Sequence, residues 1–372
     1  MSPAVTVPAE GTVHVVLPGD VDDAASPSGG NVYDRRVCRG LATSGWTVRE
    51  YAVPGSWPCP DAAARAELAR TLAALPDGSV VLLDGLVACG VPDVVVPHAR
   101  RLRQAVLVHL PLADETGLAP GDAARLDARE RETLRAAGAV VATSPWAGRR
   151  LTARHGLDAR RVRIAAPGTD PAPLAAGDPS GSRLLCVASL TPRKGQDLLV
   201  EALADLTDLP WSCLCVGPPG RDTAYATRLR HLIEGHGIGD RVRLAGPRNG
   251  GELAAAYAAA DLTVLASRAE TYGMVVTEAL ARGVPVLATA VDGVPETLGR
   301  APDGSTPGIL VPAGDPVALA SALRRWLTDP GLRRRLKASA GRRRGMLDGW
   351  GTTTRELAEA LRRLRGEPGR AG

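Results

Sequence analysis

The sequence lacks residue types and segments that several protein classes require. Phe is absent, Asn occurs only at positions 31 and 249, and the 45 basic residues include only two lysines, Lys194 and Lys337. No apolar run approaches the roughly 20 residues that a membrane span needs. The first twelve residues lack the basic-then-apolar pattern of a signal peptide. We therefore expect a cytoplasmic protein.

The cysteines and the net charge exclude further classes. The six cysteines include no C-x-x-C pair, a spacing that favours buried thiols over a zinc site or a disulfide framework. The formal charge of +5 comes from arginine. Without interleaved aromatic residues or a nucleic-acid-binding motif, we expect no nucleic-acid partner. The basic runs 333–335 and 342–344 favour a solvated helix face, and peripheral membrane contact stays an unsupported alternative.

The length and the order of sequence patterns predict the domain organisation. A chain of 372 residues is long enough for two domains. Strand and helix patterns alternate from His14, and a second series begins at Ser182 after a Pro/Ala/Gly-rich stretch at 171–181. The sequence therefore predicts an α/β protein with two Rossmann-like domains, at 1–178 and 182–345, and a final helix at 350–365.

The stretch 267–283 carries the strongest functional pattern. It lies between two apolar strand patterns and contains Glu270 and Glu278. The segment Met274–Arg282 is predicted to be a helix that begins at Gly273. The backbone N–H groups at a helix start, together with the helix dipole, form an anion site. The two carboxylates would bracket a bound phosphate and accept hydrogen bonds from hydroxyls on either side of it. An ordinary pair of solvated glutamates is the alternative interpretation.

The segment ETYGMVVTEALARGVPVLAT, residues 270–289, resembles the E-x7-E region of retaining glycosyltransferases of the GT-B fold, family 4. The resemblance implies that Glu270 contacts the transferred sugar and Glu278 the ribose of the donor. It places Tyr272, Gly273, Met274 and Val275 at the donor site. It also implies the GT-B architecture, in which two Rossmann-like domains face each other across a cleft and a C-terminal helix crosses back to the first domain.

The loop that follows the first strand of the second series contains Lys194. Its spacing does not match a P-loop, but it resembles the K-G element whose lysine binds the donor diphosphate in this family. A compact ammonium suits a phosphate group. The family's usual strand-end arginine is replaced here, because the corresponding triplet is Ala188-Ser189-Leu190. Arg193 is the neighbouring candidate for that charge.

Three further predicted site elements are individually weaker. His109 ends an apolar strand, where open α/β sheets bind ligands, and the resemblance places it near the transferred sugar. Gly29 and Gly30 end the first long loop, near the donor diphosphate and the acceptor in family members. Arg248 lies in a loop that meets the nucleobase in the family. The alternatives are a structural histidine, a flexible loop and an ordinary turn. Asp84, at the end of another apolar strand, is compatible with both a cleft position and a turn.

The resemblance implies transfer of a sugar from a nucleoside diphosphate sugar with retention of configuration. UDP is modestly preferred over GDP, and the acceptor, whether a small molecule, a sugar or a lipid, is not identified by any pattern. No metal or other cofactor is expected, because fixed cations would neutralise the diphosphate. The alternatives are a nucleotide-sugar epimerase or hydrolase of the same fold and a non-catalytic nucleotide-sugar binding protein.

Overall fold

The computed structural model describes residues 10–23, 25, 27–219 and 223–366. Most of the N-terminal segment on which the signal-peptide prediction rests lies outside them. The chain forms two compact units. Described residues of 10–22, 29–168 and 350–366 belong to the first, and those of 23–28 and 169–349 belong to the second.

The boundary between the units differs from the predicted domain bounds. The stretch 169–178, predicted to close the first domain, belongs to the second unit. Its backbone is tied there by hydrogen bonds from Ala175 N–H to the Arg282 carbonyl (2.9 Å) and from Gly177 N–H to the Ala258 carbonyl (3.3 Å). An extended segment satisfies its polar backbone groups wherever it finds partners, and the sequence pattern does not show where these lie.

The first unit contains a six-stranded parallel sheet with strand order β2-β1-β3-β4-β5-β6. The strands are β1 (Gly11–Pro18), β2 (Trp46–Val53), β3 (Val80–Asp84), β4 (Arg103–Val108), β5 (Ala139–Ala142) and β6 (Val162–Ile164). The helices are α1 (Gly29–Thr43), α2 (Ala62–Ala73), α3 (Gly85–Ala88), α4 (Pro92–Val95), α5 (Pro120–Ala136) and α6 (Pro145–His155), with 3₁₀ turns at Val96–His98, Leu112–Asp114 and Ala159–Arg161.

The second unit repeats this arrangement with a six-stranded parallel sheet of order β12-β11-β10-β7-β8-β9. The strands are β7 (Arg183–Val187), β8 (Ser212–Val216), β9 (Val242–Leu244), β10 (Leu262–Leu265), β11 (Val286–Thr289) and β12 (Gly308–Val311). The helices are α7 (Gln196–Ala204), α8 (Thr223–Gly235), α9 (Gly250–Ala259), α10 (Met274–Ala281), α11 (Val294–Leu298), α12 (Pro316–Thr328) and α13 (Pro330–Arg343), with 3₁₀ turns at Pro192–Lys194 and Arg344–Met346.

Helix starts follow local sequence chemistry. The Ser144 hydroxyl accepts a hydrogen bond from Ala147 N–H at 3.0 Å, and Pro145 occupies the first position of α6. The side chains of Asp315 and Asp329 cap α12 and α13 in the same way, each followed by proline. Such caps satisfy backbone donors that have no partner within the helix.

Both faces of each sheet are covered by helices. On β1, Val13, Val15 and Leu17 pack into one core cluster, and the alternate residue Val16 packs into the cluster on the other face. This burial on both faces is characteristic of parallel sheets. In the second unit, α7, α8 and α12 cover one face, and α9, α10 and α11 cover the other.

The C-terminal helix α14 (Trp350–Gly366) belongs to the first unit. Its residues Leu357, Leu361 and Leu364 pack in the same cluster as β1 and α1. The predicted return of the chain to the first domain is therefore confirmed. None of the helices in the described ranges has the length and apolar character needed to cross a membrane.

Candidate active site

Two loops of the second unit meet beside the carboxyl ends of β7 and β10. The Lys194 ammonium forms an ion pair with Oε2 of Glu270, although 76 residues separate them in sequence. Both side chains are largely buried, with 18% and 11% of their surface exposed. The structure thus brings together the lysine predicted to bind a diphosphate and the glutamate predicted to contact a sugar.

A rigid set of contacts holds these two loops together. The Arg268 guanidinium makes two hydrogen bonds to the Asp197 carboxylate, at 2.9 and 2.8 Å, and a third to the Pro192 carbonyl at 2.6 Å. Gly195 lies between the loops with φ of +65°, and a Cβ there would come within 2.1 Å of the Ala266 carbonyl oxygen. Only glycine fits this close approach without moving the backbone.

The carboxylate of Glu270 is held in its ionised form. Burial alone would raise its pKa, but the nearby charges of Lys194 and Arg193 and hydrogen bonds from Lys194 and from Gly273 N–H hold the pKa below its ordinary value. The backbone is fixed too, since Glu270 N–H donates to Asp292 Oδ2 at 2.9 Å. Glu270 therefore carries a negative charge at neutral pH.

The helix α10 begins where the sequence predicts. Gly273 is its N-terminal cap residue, with φ of +85° and no side-chain cap bond in the structure. Met274 and Val275 form the first turn and are partly buried. Because Gly273 N–H and the Lys194 ammonium both bind the Glu270 carboxylate, the helix start already holds an anionic group. Tyr272 precedes the helix, and its burial raises the pKa of its hydroxyl to about 12.

Glu278 lies one turn further along α10. The Tyr257 hydroxyl donates to Glu278 Oε2 at 2.7 Å. Burial raises the pKa of Glu278, an effect that the Tyr257 hydrogen bond and the charge of Arg282 oppose. The Arg282 guanidinium also donates to the Glu278 backbone carbonyl at 2.8 Å and stacks 4.7 Å above the Tyr257 ring.

The remaining predicted residues of the second unit lie at loop positions. Arg193 donates to the Ala269 carbonyl at 3.3 Å, and its charge acts on Glu270. Arg193 therefore lies close to the Glu270 carboxylate. Ser189, at the position of the family's usual strand-end arginine, accepts a hydrogen bond from Gln196 at its backbone carbonyl, at 2.9 Å. Arg248 is partly buried in the loop between β9 and α9.

In the first unit, His109 lies between two buried carboxylates. Its Nε2 atom is 2.9 Å from Asp34 Oδ1 and 3.4 Å from Asp84 Oδ2. Burial alone would lower the pKa of His109, but the two carboxylates raise it to about 10. The imidazole is therefore cationic at neutral pH. Asp84 also caps α3 by accepting from Leu86 N–H at 2.6 Å.

Gly29 and Gly30 lie in the first turn of α1, and not at the end of a loop as the sequence predicts. A Cβ on Gly30 would lie 3.4 Å from Cδ2 of the His109 ring. Gly30 therefore packs directly against the imidazole ring. Asp34 follows Gly30 by four residues, so both face His109 from the same side of α1.

Asp34, Asp84 and His109 have ligand atoms within 4.8 Å of one another, close enough to hold a metal ion. Among the described residues, no other group of three or more His, Cys, Asp or Glu side chains comes this close. The His109 Nε2–H proton already bridges toward both carboxylates.

Sequence reasoning missed Asp34, Tyr257 and the Asp197–Arg268 pair. For Asp84 the sequence is compatible with both a cleft position and a turn. Two signals were available in the first unit: β3 and β4 are parallel neighbours whose carboxyl ends lie together, and Asp34 lies one turn beyond Gly30. No comparable signal marks Tyr257, which lies in an alanine-rich helix.

The chain resembles known proteins along most of its length. A family model described as Glycosyl transferases group 1 matches residues 178–343. A D-inositol 3-phosphate glycosyltransferase from Actinosynnema mirum is 33% identical over 295 residues, which cover 74% of this chain and 68% of the relative. The chain belongs to the group 1 glycosyltransferases.

Other relatives with the same name match over a smaller share of their own length. The one from Kineococcus radiotolerans is 37% identical over 272 residues, 66% of this group 1 glycosyltransferase and 62% of the relative. The one from Salinispora tropica is 34% identical over 269 residues, 65% of this chain and 55% of the relative. The chain thus spans less than two thirds of the length of these two relatives.

Solved structures share the fold of this group 1 glycosyltransferase. Sucrose-phosphate synthase from Thermosynechococcus elongatus has a TM-score of 0.78 at 23% identity and covers 95% of this chain and 98% of its own. Anabaena HepE, crystallised in complex with UDP-glucose, has a TM-score of 0.74 at 17% identity over 94% of this chain and 99% of its own. The predicted GT-B fold class is confirmed.

Proposed function

We propose that this protein transfers a sugar from a nucleoside diphosphate sugar to an acceptor hydroxyl with retention of the anomeric configuration. The main support for the proposal is that the Lys194 ammonium and Gly273 N–H at the start of α10 both bind the carboxylate of Glu270. A preformed cation and a helix start suit a diphosphate, and an ionised carboxylate beside them suits the hydroxyls of a sugar.

The departing diphosphate gains negative charge as the glycosidic bond breaks. Lys194, Arg193 and the backbone N–H groups at the start of α10 are fixed positive groups on the two loops that would surround it. Each charge-assisted hydrogen bond contributes about 1.5–3 kcal/mol. The ion pair between Arg268 and Asp197 holds the two loops together, so their backbone needs little reorganisation. The diphosphate still has to share Lys194 and Gly273 N–H with the Glu270 carboxylate.

The sugar centre becomes oxocarbenium-like when the leaving group departs. We propose a same-face route: the bond from the anomeric carbon to the phosphate oxygen breaks, and the acceptor oxygen bonds to that carbon from the same side. The acceptor proton passes to the departing diphosphate. Glu270 then orients the sugar hydroxyls and is not a nucleophile, since its carboxylate is engaged by Lys194 and Gly273. No step requires a metal ion.

The choice of donor and acceptor rests on the similar proteins. HepE was crystallised with UDP-glucose, so UDP is the preferred nucleotide of the donor. The relatives named D-inositol 3-phosphate glycosyltransferase make D-inositol 3-phosphate the first acceptor to test. Other small molecules, sugars and lipids form the second tier of acceptors. The cytoplasmic location stays a prediction.

The test is a turnover assay with UDP-glucose, UDP-N-acetylglucosamine and GDP-mannose, each with and without D-inositol 3-phosphate. Released nucleoside diphosphate and the glycosylated product are measured by mass spectrometry, with Lys194→Ala as the inactive control. Acceptor-dependent release with one donor supports the proposal, and an inactive D-inositol 3-phosphate moves the test to the second tier. Release without any acceptor favours a hydrolase. Binding of a donor without turnover across all acceptors favours a binding protein.

A further inference from the structure

The carboxylate of Glu278 is incompletely satisfied by the protein. It is partly buried, and among the described residues Tyr257 alone donates a hydrogen bond to it, at Oε2. An ionised carboxylate has about four acceptor positions. Asp197 offers a contrast: Arg268 binds both of its oxygens and the Tyr225 hydroxyl binds one of them. Because Glu278 is only partly buried, its remaining acceptor positions are open to water or to the hydroxyls of a ligand.

Tyr257 fixes the orientation of that carboxylate. It lies on α9 with no solvent exposure, and its hydroxyl is 2.7 Å from Glu278 Oε2. Arg282 contacts both residues, because its guanidinium stacks on the Tyr257 ring and donates to the Glu278 backbone carbonyl. Because Tyr257 holds Oε2, the hydrogen bond restricts the direction in which Oε1 faces.

We propose that Tyr257 is a positioning residue for the nucleotide, holding Glu278 so that its second oxygen accepts hydrogen bonds from the ribose hydroxyls. This inference rests on the proposed function, which makes Glu278 the ribose contact. A ribose presents two adjacent hydroxyl donors, which match the acceptor capacity left on the carboxylate. The phenol supports the site electrostatically as well, because its hydrogen bond opposes the burial that raises the pKa of Glu278.

The experiment compares a nucleotide that has ribose hydroxyls with one that lacks them. UDP, 2′,3′-dideoxy-UDP and the corresponding guanosine nucleotides are titrated by calorimetry into wild type, Tyr257→Phe, Glu278→Gln and the double variant. The matched control is Tyr51→Phe, which removes a tyrosine hydroxyl bonded to His14 in the first unit and leaves nucleotide binding unchanged. Thermal melting checks that every variant is folded.

Tyr257→Phe is expected to weaken binding of the ribonucleotide about tenfold, because a carboxylate that is no longer held loses the equivalent of one charge-assisted hydrogen bond to the ribose. Binding of the dideoxy nucleotide should change less than twofold. Because both side chains act on the same hydroxyls, the double variant should lose little more than Glu278→Gln alone. The acid limb of ribonucleotide binding should move to higher pH in Tyr257→Phe, since the variant loses a hydrogen bond that lowers the pKa of Glu278.

Four outcomes would overturn the inference. Equal losses for the ribo- and dideoxy nucleotides would show a purely structural role for Tyr257, and unchanged binding would show no role. Additive losses in the double variant would show that Tyr257 does not act through Glu278. A wild-type protein that binds neither UDP nor GDP would instead refute the donor site itself and the inference with it. If Tyr257→Phe does not fold, Glu278→Gln must still discriminate between the two nucleotides for the inference to stand.

Discussion

Replacing Glu270 by Gln is predicted to strengthen binding of UDP, whereas replacing Lys194 by Met weakens it. In the free protein the carboxylate of Glu270 occupies both the Lys194 ammonium and Gly273 N–H. A diphosphate therefore has to share or displace these donors. UDP has no transferred sugar whose hydroxyls could donate to the carboxylate. Glu270 therefore only competes with UDP for these donors and repels its negative charge.

The magnitudes follow from charge and burial. Loss of the ammonium removes a charge-assisted interaction of about 1.5–3 kcal/mol, which is a 10- to 100-fold weaker Kd. Two unit charges about 6 Å apart repel by nearly 3 kcal/mol at an effective dielectric of about 20. Since solvent and counterions screen part of this repulsion, we expect Glu270→Gln to gain about 1 kcal/mol, or roughly fivefold in Kd.

The assay is a calorimetric titration of UDP into wild type, Glu270→Gln, Lys194→Met and the double variant. Lys337→Met is the matched control, because it removes the only other lysine, which pairs with Asp261 at 3.5 Å outside the proposed site. Glu270→Gln should also abolish sugar transfer while it binds UDP more tightly. If Glu270→Gln weakens UDP binding as Lys194→Met does, Glu270 only supports Lys194 and the competition argument is wrong.

Three further predictions concern individual residues. Gly195→Ala should lower the free energy of unfolding in urea by at least about 2 kcal/mol more than Gly237→Ala. Both glycines have φ of +65°, but only at Gly195 would a Cβ collide with a backbone atom. Equal losses of unfolding free energy in the two variants would contradict this reasoning. Glu278→Gln should raise the Tm at neutral pH while it weakens UDP binding. Burial raises the pKa of Glu278, so the ionised carboxylate destabilises the folded state above that pKa, and a neutral amide removes this cost. A lowered Tm would contradict this prediction. Asp34→Asn should lower the pKa of His109 from about 10, as measured by NMR titration of the imidazole, and an unchanged pKa would show that Asp34 does not hold the charge.

Much of the fold could be predicted from the sequence, because its elements depend on local patterns. Alternating strand and helix patterns give a parallel α/β fold, and the start of α10 at Gly273 is confirmed. The one-turn helices α3 and α4 were not predicted, since four residues give no periodic signal. Gly29 and Gly30 suggest a loop, because glycine lowers helix propensity, whereas the structure has both in the first turn of α1.

The site could be predicted only as far as motifs reach. Lys194 and Glu270 are each marked by a motif, whereas their ion pair is seen only in the structure. The partners that fix the charged groups carry no motif. Tyr257 reaches Glu278 from a different helix, and Asp34 reaches His109 across 75 positions of sequence. These contacts depend on helix packing and strand register, which one sequence without relatives does not display.

The most direct test of the account is the stereochemistry of the product. UDP-α-glucose is incubated with the protein and D-inositol 3-phosphate, or with the acceptor that a wider screen identifies, and the anomeric coupling of the product is read by proton NMR. The account predicts an α-linked product, one UDP released per product, and loss of both signals in Lys194→Ala. A β-linked product, or turnover that survives the loss of Lys194, would contradict it.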